Sequence, residues 1–227
     1  MNQPVEETDI TPTIHVAPSP HVSSMAMTTR GMMRDVLIAL LPVVGAAFLF
    51  FGWLAAKQLL ICMAASLAAE ALFTHMRGRT LSLTDLSAAV TGLILGLSLP
   101  ATAPWYVGVI GAVVAIGIGK MVFGGLGMNI FNPAMVGRAF VMIAFAGSMA
   151  ASGYILPGER VDVISQATPL TAFKQSGATV PLAALFLGNV NGSLGETSAL
   201  ACLLGGIYLC VRRAASWETP AGILLSA

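Results

Sequence analysis

The chain has 227 residues, of which 56% are hydrophobic and only 9% charged, against roughly a quarter charged in an ordinary soluble domain, so a water-soluble fold is excluded. Eleven Lys and Arg stand against ten Asp and Glu, and a net charge of +1 leaves no field for recognising nucleic acid or an acidic partner. The three cysteines, Cys62, Cys202 and Cys210, lie in apolar stretches without zinc or iron–sulfur spacing and read as buried small residues.

Residues 1–30 form a polar tail rich in Pro, Ser and Thr, with too little apolar surface to fold alone. From 36 to 56 no charge interrupts the chain. About 21 residues at ~1.5 Å each give roughly 31 Å, the hydrocarbon thickness of a bilayer. Pro42 is tolerable there, because neighbouring helices can satisfy the freed carbonyl. More than thirty residues precede this stretch and no small-residue cleavage pattern closes it, so it reads as an anchor and not a cleaved signal.

Further apolar stretches at 59–73, 86–99, 105–123, 134–151 and 199–211 bring the expected membrane segments to six. Several are short of a straight span, and Gly92, Gly96, Pro100, Gly117 and Gly119 interrupt them, which predicts broken or re-entrant helices. Irregular backbone survives at membrane depth only where protein packs it or it lines a cavity. The fold class is therefore an all-α integral membrane protein. Residues 31–151 are a bundle of five segments, 152–196 an extracytoplasmic loop, and 197–227 the sixth segment with the start of a further bundle. The apolar turn after Pro220 reads as a helix that begins and is cut short, the mark of a truncated chain.

With the tail cytoplasmic, the inner side holds Arg30, Arg34, Arg77, Arg79, Lys120, Arg138, Arg212 and Arg213, and the outer side Lys57, Arg160 and Lys174. Eight against three satisfies the positive-inside rule. Glu70, Asp85 and Lys120 fall near the inner interface, where long side chains snorkel, and interfacial anchoring is the expected role. Arg138 opens the fifth segment, suited to a cofactor phosphate or to lipid headgroups. Trp105 and Tyr106 read as part of an interfacial aromatic belt.

The outer loop twice spells a small-residue turn ending in Ala-Thr: Ser165, Gln166, Ala167, Thr168, and Ser176, Gly177, Ala178, Thr179. Either threonine could be an ordinary loop hydroxyl. The first has Asp162 six residues upstream, whereas the second has Phe173 where an acid would stand. The arrangement around Thr168 resembles the motif on which flavin transferases attach FMN through a phosphoester bond. A modified hydroxyl needs an exposed loop with small neighbours, and both sites offer one.

Three other stretches join it. The run from Phe123 through Gly124, Gly125, Gly127, Asn129 and Asn132 to Pro133 is a Gly/Asn-rich connection, and Gly188 through Asn191, Ser193, Gly195, Glu196 and Thr197 forms another. With Pro18, Ser19, Pro20 and His21, these closely resemble the RnfD/NqrB family, from about His15 to Arg213. Its members are the RnfD membrane component of the Rnf complex and its relative NqrB, from the sodium-pumping NADH:quinone oxidoreductase.

The resemblance implies a multi-pass component of the bacterial inner membrane, not catalytic alone, in a complex that couples ferredoxin/NAD electron transfer to sodium or proton movement. It implies a urea-transporter-like bundle of which this chain supplies the first part. It also implies FMN held covalently on Thr168, with Asp162, Ser165 and Ala167 around it and Thr179 as the alternative attachment. A second, non-covalent flavin, riboflavin, is a further expectation, with Gly124, Gly125, Asn129, Asn132, Arg138, Glu196 and Thr197 as the candidates for holding a cofactor. The glycines of these loops either let backbone N–H groups approach a ring or phosphate, or simply permit tight packing. The implied partners are the other membrane and peripheral subunits, a flavin transferase and the lipid bilayer. The rival readings are a channel or facilitator for a small neutral solute, which needs no chromophore, and a purely structural scaffold.

Overall fold

Thr28 opens the first helix, its hydroxyl accepting from the Gly31 N–H at 3.1 Å, and so satisfies one of the orphan donors of the first turn. A computed structural model describes residues 28–78, 83–149, 173–174, 177, 181–188, 192–196 and 198–226. Helix α1 (Thr29–Phe51) buries Asp35, Ala39, Val43, Ala47 and Phe51, a stripe at every fourth residue that lays one narrow face on the bundle. It starts before the uncharged run, taking in Arg30 and Arg34, and stops at Gly52, whose φ of 56° lets the chain reverse into α2 (Trp53–Met76). These two helices are long and apolar enough to cross a membrane.

The remaining helices are shorter. A 3-10 turn at Leu83–Asp85 leads into α3 (Ser87–Ser98), and the Asp85 carboxylate accepts from the backbone N–H of Ser87 at 2.8 Å and from its hydroxyl at 2.6 Å. Twelve residues rise only about 18 Å, roughly half a bilayer, before Pro100 stops the helix. Nearly every side chain of α3 is buried, which makes this short helix the axis of the bundle. Helix α4 (Trp105–Ile116) runs on into a π-helical turn at Gly117–Met121. Asn132 caps α5 (Pro133–Ala144) through the Ala134 N–H at 3.0 Å, with Pro133 at the first helical position. Short α6 (Ala146–Met149) and α7 (Leu182–Leu187), then α8 (Ala199–Val211) and α9 (Glu218–Ser226), complete the described residues, which contain no strand.

Glycines set the register. A Cβ on Gly92 would stand 2.7 Å from Met63 Cα, and one on Gly96 3.3 Å from Leu59 Cα, so α3 runs antiparallel to α2 at backbone contact. Gly108 faces Cys62, and Gly117 faces Phe73, so α4 runs parallel to α2. Gly119 against Pro133 and Gly137 against Gly111 and Ala115 place α5 antiparallel to α4. Gly205 lies on the Ala39 carbonyl, and Asp35 meets Tyr208 and Arg212, so α8 runs antiparallel to α1. One end of the bundle thus gathers Arg34, Arg77, Lys120 and Arg212, and the other Trp53 and Trp105.

The core is mostly apolar, but it holds an unusual set of polar groups, and large apolar side chains stand on the outside. Lys120, Glu70, Gln58, Ser66, Ser87 and Thr91 are buried, while Leu41, Leu49, Trp53 and Ile143 stand outside, Ile143 with 85% of its surface exposed. Such a surface suits hydrocarbon and would aggregate in water. Of the cysteines, Cys62 is buried as expected, whereas Cys202 is exposed and Cys210 half-buried, because α8 buries only Ala201 and Gly205.

Candidate cofactor pocket and ion pairs

Lys120 sits in the π-helical turn, where one extra residue per turn swings its side chain between α2 and α3. There its Nζ donates to Glu70 Oε1 at 2.8 Å and to Ser87 Oγ, and both charged side chains are almost wholly buried. This corrects the expectation of snorkelling anchors. A buried lysine must be paired and hydrogen-bonded, and the Ser87 hydroxyl, in turn held by Asp85, completes that shell. Arg77 donates to the Met121 carbonyl and closes the same turn from the surface.

Beyond Lys120 the Gly/Asn-rich connection folds back. Gly124 and Gly125 take φ of 118° and 113°, values open essentially to glycine alone, and their N–H groups donate to Met121 O and Lys120 O. The returning chain borders a half-open cavity of about 390 Å³ lined by Ser87, Thr91, Lys120, Asn129 and Asn132 on its polar side and by Val90, Ile94, Leu126, Ile130 and Phe131 on its apolar side. That volume lies within the roughly 300–1,000 Å³ of small-molecule sites, and the mix of apolar walls with a few amide, hydroxyl and ammonium groups is their usual make-up. Asn129 Nδ2 donates to Phe131 O at 3.0 Å, so both asparagines shape the loop as well as line the cavity.

The structure divides the sequence candidates. Asn129 and Asn132 line the cavity, and Gly124 and Gly125 shape its loop without lining it. Arg138 and Glu196 lie elsewhere and meet each other, with both guanidinium Nη atoms 3.3 Å from Glu196 Oε1. Asp162, Ser165, Ala167, Thr168, Thr179 and Thr197 fall outside the described residues. Sequence reasoning missed Ser87 and Thr91 as lining groups and the depth of Lys120. Its only signal was a lysine inside an apolar run.

The Glu196 segment is not simply a solvated loop. Leu194 is fully buried, and the Leu194 and Gly195 N–H groups donate to Leu99 O at 3.2 Å and Leu97 O at 2.7 Å. The chain before α8 thus satisfies carbonyls left open where α3 stops. Ser198 caps α8 through the Ala201 N–H at 3.3 Å.

An apolar exterior, a mostly apolar core with a buried ion pair, and two helices long and apolar enough to cross a bilayer are the features of a membrane protein. The chain belongs to the NQR2, RnfD, RnfE family, whose model matches residues 15–227. It is 40% identical over 215 residues to the D subunit of the Na(+)-translocating ferredoxin:NAD(+) oxidoreductase complex of Acetobacterium woodii, across 93% of this chain and 66% of the relative. The D subunit of the ion-translocating oxidoreductase complex of Alcanivorax borkumensis is 39% identical over 91% of this chain and 66% of its own length. Its counterpart in the proton-translocating ferredoxin:NAD(+) oxidoreductase complex of Clostridium ljungdahlii is 35% identical over 90% and 64%. The chain therefore spans slightly less than two thirds of these relatives.

Proposed function

We propose that this chain is the RnfD component of an Rnf-type complex, carrying electrons on bound flavin while the assembly moves sodium ions or protons across the bacterial inner membrane. The observation that carries the reading is the 40% identity to the Acetobacterium woodii relative across 93% of this chain. The sequence motif around Thr168 supports FMN held there through a phosphoester, with Asp162, Ser165 and Ala167 as its local frame and Thr179 as the alternative. A flavin transferase then acts on this chain during maturation, and the other membrane and peripheral subunits are its working partners.

The cavity beside the Gly/Asn-rich connection fits a second, non-covalent flavin. Its apolar walls, Ile94, Leu126 and Phe131 among them, suit a flat ring, and Asn129, Asn132, Thr91 and Lys120 offer hydrogen bonds to a polar ring edge. When bound there, a flavin supplies one- and two-electron transfer, while the chain's own groups bind it, orient it and exclude water. Lys120 is already neutralised by Glu70, so it can donate a hydrogen bond without adding net charge to the cavity.

In this reading the six helical stretches are membrane segments of a urea-transporter-like bundle. The basic end faces the cytoplasm, with the tail of residues 1–30, and the Thr168 loop lies outside. The test is fluorescence of the denatured polypeptide on a gel after co-expression with a flavin transferase. Wild type fluoresces, Thr168→Val loses the signal and Thr179→Val keeps it. The opposite pattern moves the attachment to Thr179, and a dark wild type favours the channel for a small neutral solute.

A further inference from the structure

A further cavity, of about 490 Å³, is an open groove on the outside of the bundle, between the end of α2 and the π-helical turn that follows α4. Phe73, Val114, Gly117, Ile118 and Met121 form its apolar walls, and Arg77 joins them at one end. A Cβ on Gly117 would stand 3.0 Å from the Phe73 ring, so the glycine lets the ring rest directly on the turn. The extra residue of that turn carries Lys120 inward and leaves Ile118 and Val122 exposed on the groove side.

The groove runs along the bundle axis, because α4 is parallel to α2 and the wall from Val114 to Val122 rises about 12 Å. The 24 residues of α2 rise about 36 Å, enough to cross the hydrocarbon with one end at each interface. Arg77, the first residue past that helix, therefore stands at headgroup level, and Phe73, one turn earlier, stands among the lipid chains. Arg138 and Arg212 each meet a carboxylate, whereas Arg77 donates one Nη to the Met121 carbonyl and makes no ion pair among the described residues. A carbonyl orients the guanidinium without cancelling its charge, and the rest of the donor fork suits a phosphate. An uncompensated arginine above an apolar groove is complementary to an anionic head on an apolar chain.

We propose that this groove binds an anionic glycerophospholipid, one acyl chain lying against Phe73, Val114 and Ile118 and the phosphate held by Arg77. So seated, the lipid braces the π-helical turn from outside while the Lys120 ion pair holds it from within. The site needs only a bilayer around the bundle, and neither a flavin nor ion movement.

The experiment places the assembled complex in phosphatidylcholine nanodiscs containing a trace of phosphatidylglycerol with a diazirine in one acyl chain, and in matched discs where the diazirine is on phosphatidylcholine. After irradiation, peptide mass spectrometry compares adducts in the groove, at residues 73–77 and 113–122, with adducts on the outward face of α1 around Leu41 and Leu49. The ratio of phosphatidylglycerol to phosphatidylcholine labelling should be about five-fold higher in the groove than on α1, the factor one arginine near the surface supplies. Arg77→Gln should abolish that preference. Ile118→Trp, which keeps the charge and fills the groove, should cut groove labelling by both lipids several-fold, with α1 labelling unchanged in both variants. Equal ratios at the two places in the wild type would mean ordinary surrounding lipid and overturn the site without recourse to any variant. An unlabelled groove in the complex would mean that another subunit covers it, and would overturn the site as well. A preference that survives Arg77→Gln would overturn the arginine as the phosphate ligand.

Discussion

Lys120 shows how a single position can mislead when read along the chain and become clear in space. In sequence it is a lysine near the end of an apolar run, and such residues usually reach for the interface. Its partner stands 50 positions away on another helix, and no local pattern fixes that pairing. What reveals it is the π-helical turn, where Gly117 and Gly119 let Phe73 and Pro133 approach and rotate the lysine inward. Lys120→Met takes from buried Glu70 its ammonium partner at 2.8 Å, so it should destabilise the protein by up to about 3–5 kcal/mol, seen as a lowered melting temperature in detergent. Adding Glu70→Leu should restore much of the loss. A single mutant as stable as wild type would mean that Glu70 is satisfied without the lysine. Asn132, by contrast, announces itself, since Asn-Pro before an apolar run is a helix start whatever else it does.

At the scale of elements, hydropathy places the third to sixth segments within a few residues of the helices that begin them, because apolar runs and their glycine and proline interruptions are written locally. The first break falls elsewhere, since a hydropathy run reads through Gly52 and only its positive φ turns the chain there. How helices pair is not legible. Gly205 and Gly206 look identical in sequence, yet a Cβ on Gly205 meets the Ala39 carbonyl and one on Gly206 meets nothing within 4 Å. Gly205→Val should therefore cost roughly 1–3 kcal/mol or more by forcing α8 off α1. Gly206→Ala should be neutral or stabilise by about 0.5–1 kcal/mol through helix propensity. Thermal unfolding of the two variants side by side checks this, and equal effects would contradict the antiparallel contact. The Asp35 contacts with Tyr208 at 3.4 Å and Arg212 at 3.3 Å reinforce the same pairing from the basic end.

For the whole molecule, composition alone points away from a soluble fold, and the structure agrees: large apolar side chains such as Leu49, Trp53 and Ile143 stand outside, while Lys120, Glu70 and Gln58 lie within a mostly apolar core. The candidate site is half legible. The Gly/Asn-rich connection stands out as a candidate cofactor contact from its own residues, but the cavity it borders depends on Lys120, Thr91 and Ile94 from other helices. If the proposed function holds and that cavity takes a second flavin, acid extraction of the complex should release riboflavin in addition to a flavin that stays on the polypeptide. Asn132→Leu should lower the released fraction several-fold while leaving in-gel fluorescence intact. Release of no free flavin from the wild type would leave the cavity without that occupant.

In the proposed function, electron carriage by this chain turns on FMN borne by Thr168. Mass spectrometry of peptides covering residues 160–181, prepared from the complex matured in its native membrane, tests this most directly. The expected result is a peptide heavier by FMN less one water, with fragment ions placing the addition on Thr168. Only unmodified peptide, from a preparation in which the flavin transferase is active, would contradict it.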